Sequence, residues 1–210
     1  QKLGEEKFKL FLSKIGILDK IQFDIEEVGS PIKFNWGKCP LATASFGHGI
    51  TTTLLQLAKA YSIIANGGYD IRPNLVKEDM DKERKRILSD NVSEKILPIL
   101  RKIVLSKEGT ASLANVEGYE IGGKTGTANK SISGEYSNKK INTFVSVFPI
   151  SKPKFVLAVM LDEPKINESY IYEYRDGSNF KLKGSPRNTA GWNSVEVSGH
   201  IVERIGPILA

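Results

Sequence analysis

The chain has 210 residues, 40% hydrophobic and 26% charged, a balance typical of folded globular proteins rather than disordered ones. A single cysteine (Cys39) and two histidines (His48 and His200) exclude an intrachain disulfide, a C-x-x-C site and a histidine-built zinc site. The net charge of +6 favours anionic partners such as carboxylates or anionic lipid; no ordered run of aromatics with Arg and Lys points to nucleic acid, and no metal or cofactor is expected.

Phe8, Phe11, Leu12 and Ile15 have helical spacing, with Gly16 as a stop. Residues 17–45 are rich in turn formers and read as an irregular connection. TTTLLQLAKAYSIIANGG (51–68) predicts a buried helix, with Leu54, Ala58, Tyr61 and Ala65 on one face and Asn66-Gly67-Gly68 ending it. Residues 69–76 read as a short strand held to an edge by Pro73. KEDMDKERKR (77–86) alternates charge and reads as solvated. A second amphipathic helix is expected over 91–105, through Val92, Ile96, Leu100 and Val104, with Pro98 as a kink. From Gly118 the period shortens: 119–127, 142–149 and 154–161 predict strands, the last two a hairpin across ISKP. A basic loop (163–187) leads to a terminal helix with Ile201, Ile205 and Ile208 on a shared face. There is no repeat, no low-complexity linker, and no apolar run long enough to span a membrane. One structural unit is expected.

GYEIGGKTGTA (118–128) fits two motifs at once. Gly118 to Thr125 matches G-x-x-x-x-G-K-[ST], the phosphate-cradling P-loop. VLAVMLDE (156–163) then resembles the strand that ends on an acidic pair in nucleotide hydrolases. A P-loop needs a strand before it and a helix after it, so that a helix N-terminus meets phosphate. SLANVE precedes Gly118 and GTANKSISG follows Thr125; neither suits that role. The span from Thr127 to Asp162 also lacks a crossover helix for parallel strands. The nucleotidase reading is a remote alternative.

Lys124 to Gly126 matches K-T-G of penicillin-binding proteins and serine β-lactamases. On an edge strand the motif has a chemical use. Free N–H and C=O groups receive an extended peptide, Gly126 lets its backbone approach, and Lys124 with Thr125 suits a carboxylate.

KEGTASLANVEGYEIGGKTGTA followed by NTFVSVFPISKPKFVLAVMLDEP resembles the transpeptidase domain of class B penicillin-binding proteins. SFGHGITTTLLQLAKAYSIIANGGYDIRPNLV resembles that family's block between its second and third active-site motifs, and TAGWNSVEVSGHIVERIGPIL resembles its septal, cell-division members. The resemblance runs through nearly the whole chain. It implies an α+β, β-lactamase/transpeptidase-like fold, an antiparallel sheet flanked by helices with its N-terminal part missing. It further implies a serine-type D,D-transpeptidase that cross-links D-Ala-D-Ala stem peptides of peptidoglycan through an acyl-enzyme, binds β-lactams, and meets divisome proteins through its parent. The parent would be anchored in the inner membrane with this domain in the periplasm. Carried over by motif, Lys124 and Thr125 bind the terminal carboxylate and assist proton transfer. Gly126 and Thr127 complete the substrate-binding set, and the Thr127 backbone N–H forms half of the oxyanion hole. A related penicillin-recognising module without transpeptidase activity is the alternative. Two departures stand out: His48 and Thr53 occupy positions where family members often have Gln and Pro, and His48 is read as structural.

Four S-x-x-K matches exist, at Ser30/Lys33, Ser137/Lys140, Ser151/Lys154 and Ser178/Lys181, and Ser89-Asp90-Asn91 matches S-D-N. A nucleophile with its Lys one turn away must start a buried helix, and none of the four has such a sequence behind it. Ser89 reads as an N-cap. The chain also starts at Gln1 rather than Met. The expectation is therefore that residues 1–210 form the C-terminal part of a transpeptidase domain whose S-x-x-K and S-x-N motifs lie upstream, and that this part alone is inactive.

Overall fold

The computed structural model describes residues 3–25, 36, 38–76, 84–132, 135–183 and 187–209. The chain forms two compact units, residues 1–93 and 94–210.

The first unit is helical. Helix α1 (Glu5–Lys14) ends at Gly16, whose φ of +82° suits a glycine, with Ile17 N–H returning to Leu12 O at 2.9 Å and Gly16 N–H to Ser13 O at 2.9 Å. A short helix α2 (Lys38–Ala44) lies within the expected irregular stretch. Helix α3 (Leu54–Ala65) starts on a capping box: Gln56 N–H donates to Thr53 Oγ1 (3.2 Å) while Thr53 N–H donates to Gln56 Oε1 (2.7 Å). The Gln56 amide also donates to the carbonyls of Ile17 and Asp19 at 3.1 and 2.8 Å, so the same side chain ties α3 to the turn after α1. The fully buried line of α3 is Gln56, Ala60 and Ile63 rather than the expected Leu54, Ala58, Tyr61 and Ala65, which are half-buried. Leu12, Ile15, Ile17, Ala60 and Ile63 form the core of this unit.

Residues 69–76 form no strand. Asp70 N–H bonds Lys85 O, Ile87 N–H bonds Gly68 O, and the contact amounts to one bridge between Tyr69 and Arg86. Pro73, lacking an N–H, cannot extend it. Part of the charged segment 77–86 lies outside the described residues.

The boundary between the units falls inside helix α4 (Asp90–Leu105). Pro98 sits exposed on it without breaking the helix, and the buried positions are Ser93, Leu100 and Val104, with Val92 exposed.

The second unit is built on an antiparallel sheet in the order β1–β2–β3, with β1 (Gly122–Ile132), β2 (Glu135–Phe148) and β3 (Phe155–Asp162). The β2–β3 hairpin matches the sequence expectation; β1 and β2 pair beyond the expected strands 119–127 and 142–149, through residues 128–132 and 135–141. A small ribbon, β4 (Ile171–Glu173) with β5 (Lys181–Lys183), interrupts the basic loop. Helix α5 (Ser194–Leu209) packs on β2, β3 and two 3-10 turns, Ser112–Ala114 and Ala190–Trp192. The buried side of α5 is the reverse of that expected: Val195, Ser198, Gly199, Val202 and Gly206 face inward, while Ile208 is 82% exposed. A Cβ on Gly199 would stand 2.8 Å from Leu113 O, and one on Gly206 would enter the Tyr119 ring. Small residues let the helix approach this closely, so bulky side chains turn outward. Val104, Leu113, Ile121, Phe144, Phe148, Val195 and Val202 are among the core residues of this unit.

A buried ion pair secures the turn that leads to β1. Arg175 donates to Glu196 through two nitrogens (2.9 and 3.0 Å), to Leu113 O (3.1 Å) and to Glu203 (3.1 Å). Burial opposes its charge, but the Glu196 and Glu203 carboxylates outweigh that and hold the guanidinium above its usual range.

Candidate functional site

Among the described residues strand β1 pairs only with β2, which leaves its outer edge open. Which backbone groups face that edge follows from ladder parity. Glu163 N–H donates to Lys140 O (2.8 Å), continuing the register in which Ile141 faces Asp162. In an antiparallel ladder, bonded and non-bonded pairs alternate. Residues 140, 142, 144 and 146 therefore bond toward β3, and 141, 143, 145 and 147 toward β1. Their β1 partners are Ala128, Gly126, Lys124 and Gly122. Gly123, Thr125 and Thr127 then carry their N–H and C=O groups outward. The Lys124 ammonium agrees, donating to Thr125 O at 2.7 Å. K-T-G-T thus presents two alternate residues, Thr125 and Thr127, with N–H and C=O groups outward and a lysine cation beside them.

Side chains alternate the other way. Gly123, Thr125 and Thr127 share the face of Phe144 and Asn142, whereas Gly122, Lys124 and Gly126 lie on the reverse face. The glycines differ in why they are glycines. A Cβ on Gly122 would be 2.6 Å from Ile150 Cδ1 and 2.8 Å from Arg101 N; one on Gly123 would be 2.6 Å from both Phe144 Cζ and Val145 O. At Gly126 the nearest atom would be Thr143 Cβ at 3.8 Å, an ordinary contact. Internal packing explains the first two glycines and leaves the third open toward solvent.

Two further segments reach the hydroxyls. Thr110 Oγ1 lies 3.1 Å from Thr125 Oγ1, and Ala190 N–H donates to Thr127 Oγ1 at 3.0 Å. Asn142, opposite Thr127 in register, is buried; its amide donates to Asn188 Oδ1 (3.0 Å), and the Asn188 amide to Pro164 O (2.7 Å). The expected Lys124, Thr125, Gly126 and Thr127 therefore lie together, joined by Thr110, Asn142, Asn188 and Ala190, which the motif did not include. Asn142 had a legible signal: it falls on the inward positions that Phe144 and Phe148 share, where a polar residue needs a partner.

At the far end of β1, Lys130 bridges Asp162 and Glu163, and Lys139 also pairs Glu163. The Lys130 hydrogen bond, then that from Lys139, holds the Glu163 carboxyl below its usual range. This cluster is exposed and staples the hairpin.

The nucleotide reading ends here. Gly118, at φ +84°, closes a turn, Lys124 and Thr125 lie within a strand, no helix follows, and β3 runs antiparallel to β2.

The S-x-x-K matches fare no better as nucleophiles. Ser137 lies in β2 and donates to Lys130 O; Ser151 sits in the β2–β3 turn and donates to Glu120; Ser178 caps a turn at Asp176, whose carboxyl it lowers. Ser30 and Lys33 lie outside the described residues. Ser89 directly precedes α4, its carbonyl accepting Val92 N–H at 3.0 Å. The His48 ring packs at 6.2 Å from Phe46, and the His48 backbone N–H donates to Thr43 O after α2. Among the described residues no group of His, Cys, Asp and Glu could hold a metal ion.

Comparison with known proteins bears on the family and the fold. A family profile described as the penicillin binding protein transpeptidase domain matches residues 1–179. The chain belongs to this family. Within the penicillin-binding proteins, it is 28% identical over 221 residues to the probable peptidoglycan D,D-transpeptidase FtsI of Caulobacter vibrioides, covering 100% of this chain and 35% of the relative. It is 34% identical over 181 residues to the stage V sporulation protein D of Bacillus subtilis, covering 79% of this chain and 28% of that one. The transpeptidase domain of penicillin-binding protein 3 from Burkholderia pseudomallei superposes with a TM-score of 0.76 at 25% identity, over 97% of this chain and 57% of that one. Penicillin-binding protein 3 from Mycobacterium tuberculosis, complexed with aztreonam, shares the fold with a TM-score of 0.78 at 24% identity, over 98% of this chain and 48% of that one. The chain thus spans about a third of the length of these curated relatives.

Proposed function

We propose that this chain supplies one wall of the active site of a serine-type peptidoglycan D,D-transpeptidase, the nucleophilic Ser, its Lys and the S-x-N motif coming from outside residues 1–210. The observation that carries this is the open edge at Thr125 and Thr127, next to Lys124 and beside a glycine that internal packing does not require. An extended D-Ala-D-Ala stem peptide pairs with that edge as an added strand. Its terminal carboxylate takes the Lys124 ammonium and the Thr125 hydroxyl, through charge-assisted hydrogen bonds. The scissile carbonyl then lies at the outward Thr127 N–H, one of two donors that stabilise the oxygen as it becomes negative on attack by the Ser. Collapse of that adduct breaks the peptide bond and expels the terminal D-Ala, whose amine takes up the proton given up by the Ser. The acyl-enzyme then passes its acyl group to an amine of a neighbouring stem peptide, which gives a proton back to the Ser as the cross-link forms. β-Lactams carry the same carboxylate and reactive carbonyl and acylate the same Ser.

The septal relationship suggested by residues 189–209 extends this proposal to divisome partners met through the parent protein, anchored in the inner membrane with this domain periplasmic. Among the described residues no helix is long and apolar enough to cross a membrane.

Fluorescent penicillin tests the proposal in the full-length protein. Wild type is labelled, and Lys124→Ala labels at least about tenfold more slowly, as expected for loss of a hydrogen bond to a charged group. Equal labelling of the two would remove Lys124 from the site.

A further inference from the structure

The four residues that meet the K-T-G-T strand form a brace of their own. Asn142 is fully buried on β2, a position flanked by Phe144 and apolar neighbours. The polarity of its contacts is determined by the Pro164 carbonyl, which can only accept. That oxygen turns the amino end of Asn188 toward it (2.7 Å), leaving Asn188 Oδ1 to accept from the amino end of Asn142 (3.0 Å). Asn142 Oδ1 is left buried with no partner among the described residues, a loss that two apolar side chains would spare. Sheet packing alone is therefore a poor account of the pair.

The Asn188 side chain ties down the 3-10 turn Ala190–Trp192, which is also fixed by Trp192 against Tyr172 at 5.0 Å and by Ser194 Oγ donating to Ala190 O (3.2 Å). From this turn Ala190 N–H donates to Thr127 Oγ1. A hydroxyl whose oxygen already accepts an N–H has its own proton to give, so it favours an acceptor at the open edge. The same turn meets the other hydroxyl: a Cβ on Gly191 would stand 2.6 Å from Thr110 O, and Thr110 Oγ1 bonds Thr125 Oγ1.

We infer that Asn142 and Asn188 are positioning residues for substrate-carboxylate recognition: through the 188–193 turn they hold the Thr127 hydroxyl as a donor and keep Thr110 against Thr125. This rests on the transpeptidase reading above. It predicts that damage to the brace weakens discrimination for a carboxylate more than it weakens acylation in general.

The test is a ratio measured in the full-length protein: the acylation rate constant for a penicillin over that for its methyl ester. Wild type favours the free carboxylate. Asn188→Ala lowers this ratio by about tenfold, the scale of one misplaced hydrogen bond to a charged group. Ala190→Pro removes the N–H that meets Thr127 and sets a ring carbon in its place, which pushes the Thr127 hydroxyl out of position; the φ of −130° and ψ of 159° at Thr189 are those favoured before proline. This second variant should lower the ratio similarly, the free-carboxylate rate falling more than the ester rate. An unchanged ratio in either variant that retains the wild-type melting temperature, or a parallel fall in both rates, overturns the brace while leaving the transpeptidase reading intact. Failure of wild type to react with either compound would remove that reading, and the brace with it.

Discussion

Replacing Gly126 by alanine separates a glycine kept for ligand from one kept for packing. A Cβ there meets Thr143 at 3.8 Å and nothing closer, so the folded state accommodates it. Glycine inside a strand is worth roughly 0.5–1 kcal/mol less than alanine. Gly126→Ala should therefore be neutral or more stable by up to that amount, a rise of at most about 2–4 °C in melting temperature for a domain of this size. Gly123→Ala is the control. Its Cβ would lie 2.6 Å from both the Phe144 ring and the Val145 carbonyl; the backbone oxygen cannot move aside cheaply, and overpacking of this kind costs about 1–3 kcal/mol. For ligand the order reverses. The methyl at Gly126 projects beside Lys124, into the space proposed for substrate, and a misfit of similar size there slows penicillin acylation about tenfold or more. Thermal unfolding and acylation kinetics, run on both variants of the full-length protein, give the comparison. A Gly126→Ala variant that acylates at the wild-type rate would refute the reasoning, as would one that is destabilised as much as Gly123→Ala.

Two further outcomes follow from other parts of the molecule. Arg175→Ala leaves Glu196 buried without its partner and should cost about 3–5 kcal/mol in denaturant unfolding, whereas Arg175→Lys, which keeps the charge but loses the fork, should recover part of it. Burial pushes the Tyr61 phenol up to about 12, above its usual value near 10. Its unfolded form therefore releases a proton first as pH rises, so the associated stability is intact below pH ~10 and falls by roughly 2–3 kcal/mol between pH ~10 and ~12. Alkaline denaturation of Tyr61→Phe should lack that component.

The sheet was legible where residues alternate strongly. NTFVSVFP and KFVLAVML predicted β2 and β3 and their hairpin because both carry bulky residues and a turn between them. The continuation of β1 through ANKSI was not legible, since polar residues there are held by pairing with β2 and by the Lys130 staple rather than by burial. The existence of α1, α3, α4 and α5 was readable, that of α2 was not, and the buried faces of α3 and α5 were not. In α5 the search for bulky residues selected Ile201, Ile205 and Ile208, while Gly199 and Gly206 made the close contacts. In α3 the decisive inward residue is Gln56, a polar side chain that satisfies two carbonyls 37 and 39 positions away. Such long-range partners have no local sequence signature. The site divided along the same line: Lys124, Thr125, Gly126 and Thr127 form a contiguous motif, whereas Thr110, Asn142 and Asn188 are assembled only by folding.

Mapping the acylated serine tests the central claim most directly. The full-length protein is treated with penicillin, digested, and the adduct assigned by mass spectrometry. The transpeptidase account predicts the adduct on a serine outside residues 1–210, with acylation slowed by Lys124→Ala. An adduct on Ser30, Ser137, Ser151 or Ser178 that is lost on substitution of that serine by alanine would contradict it.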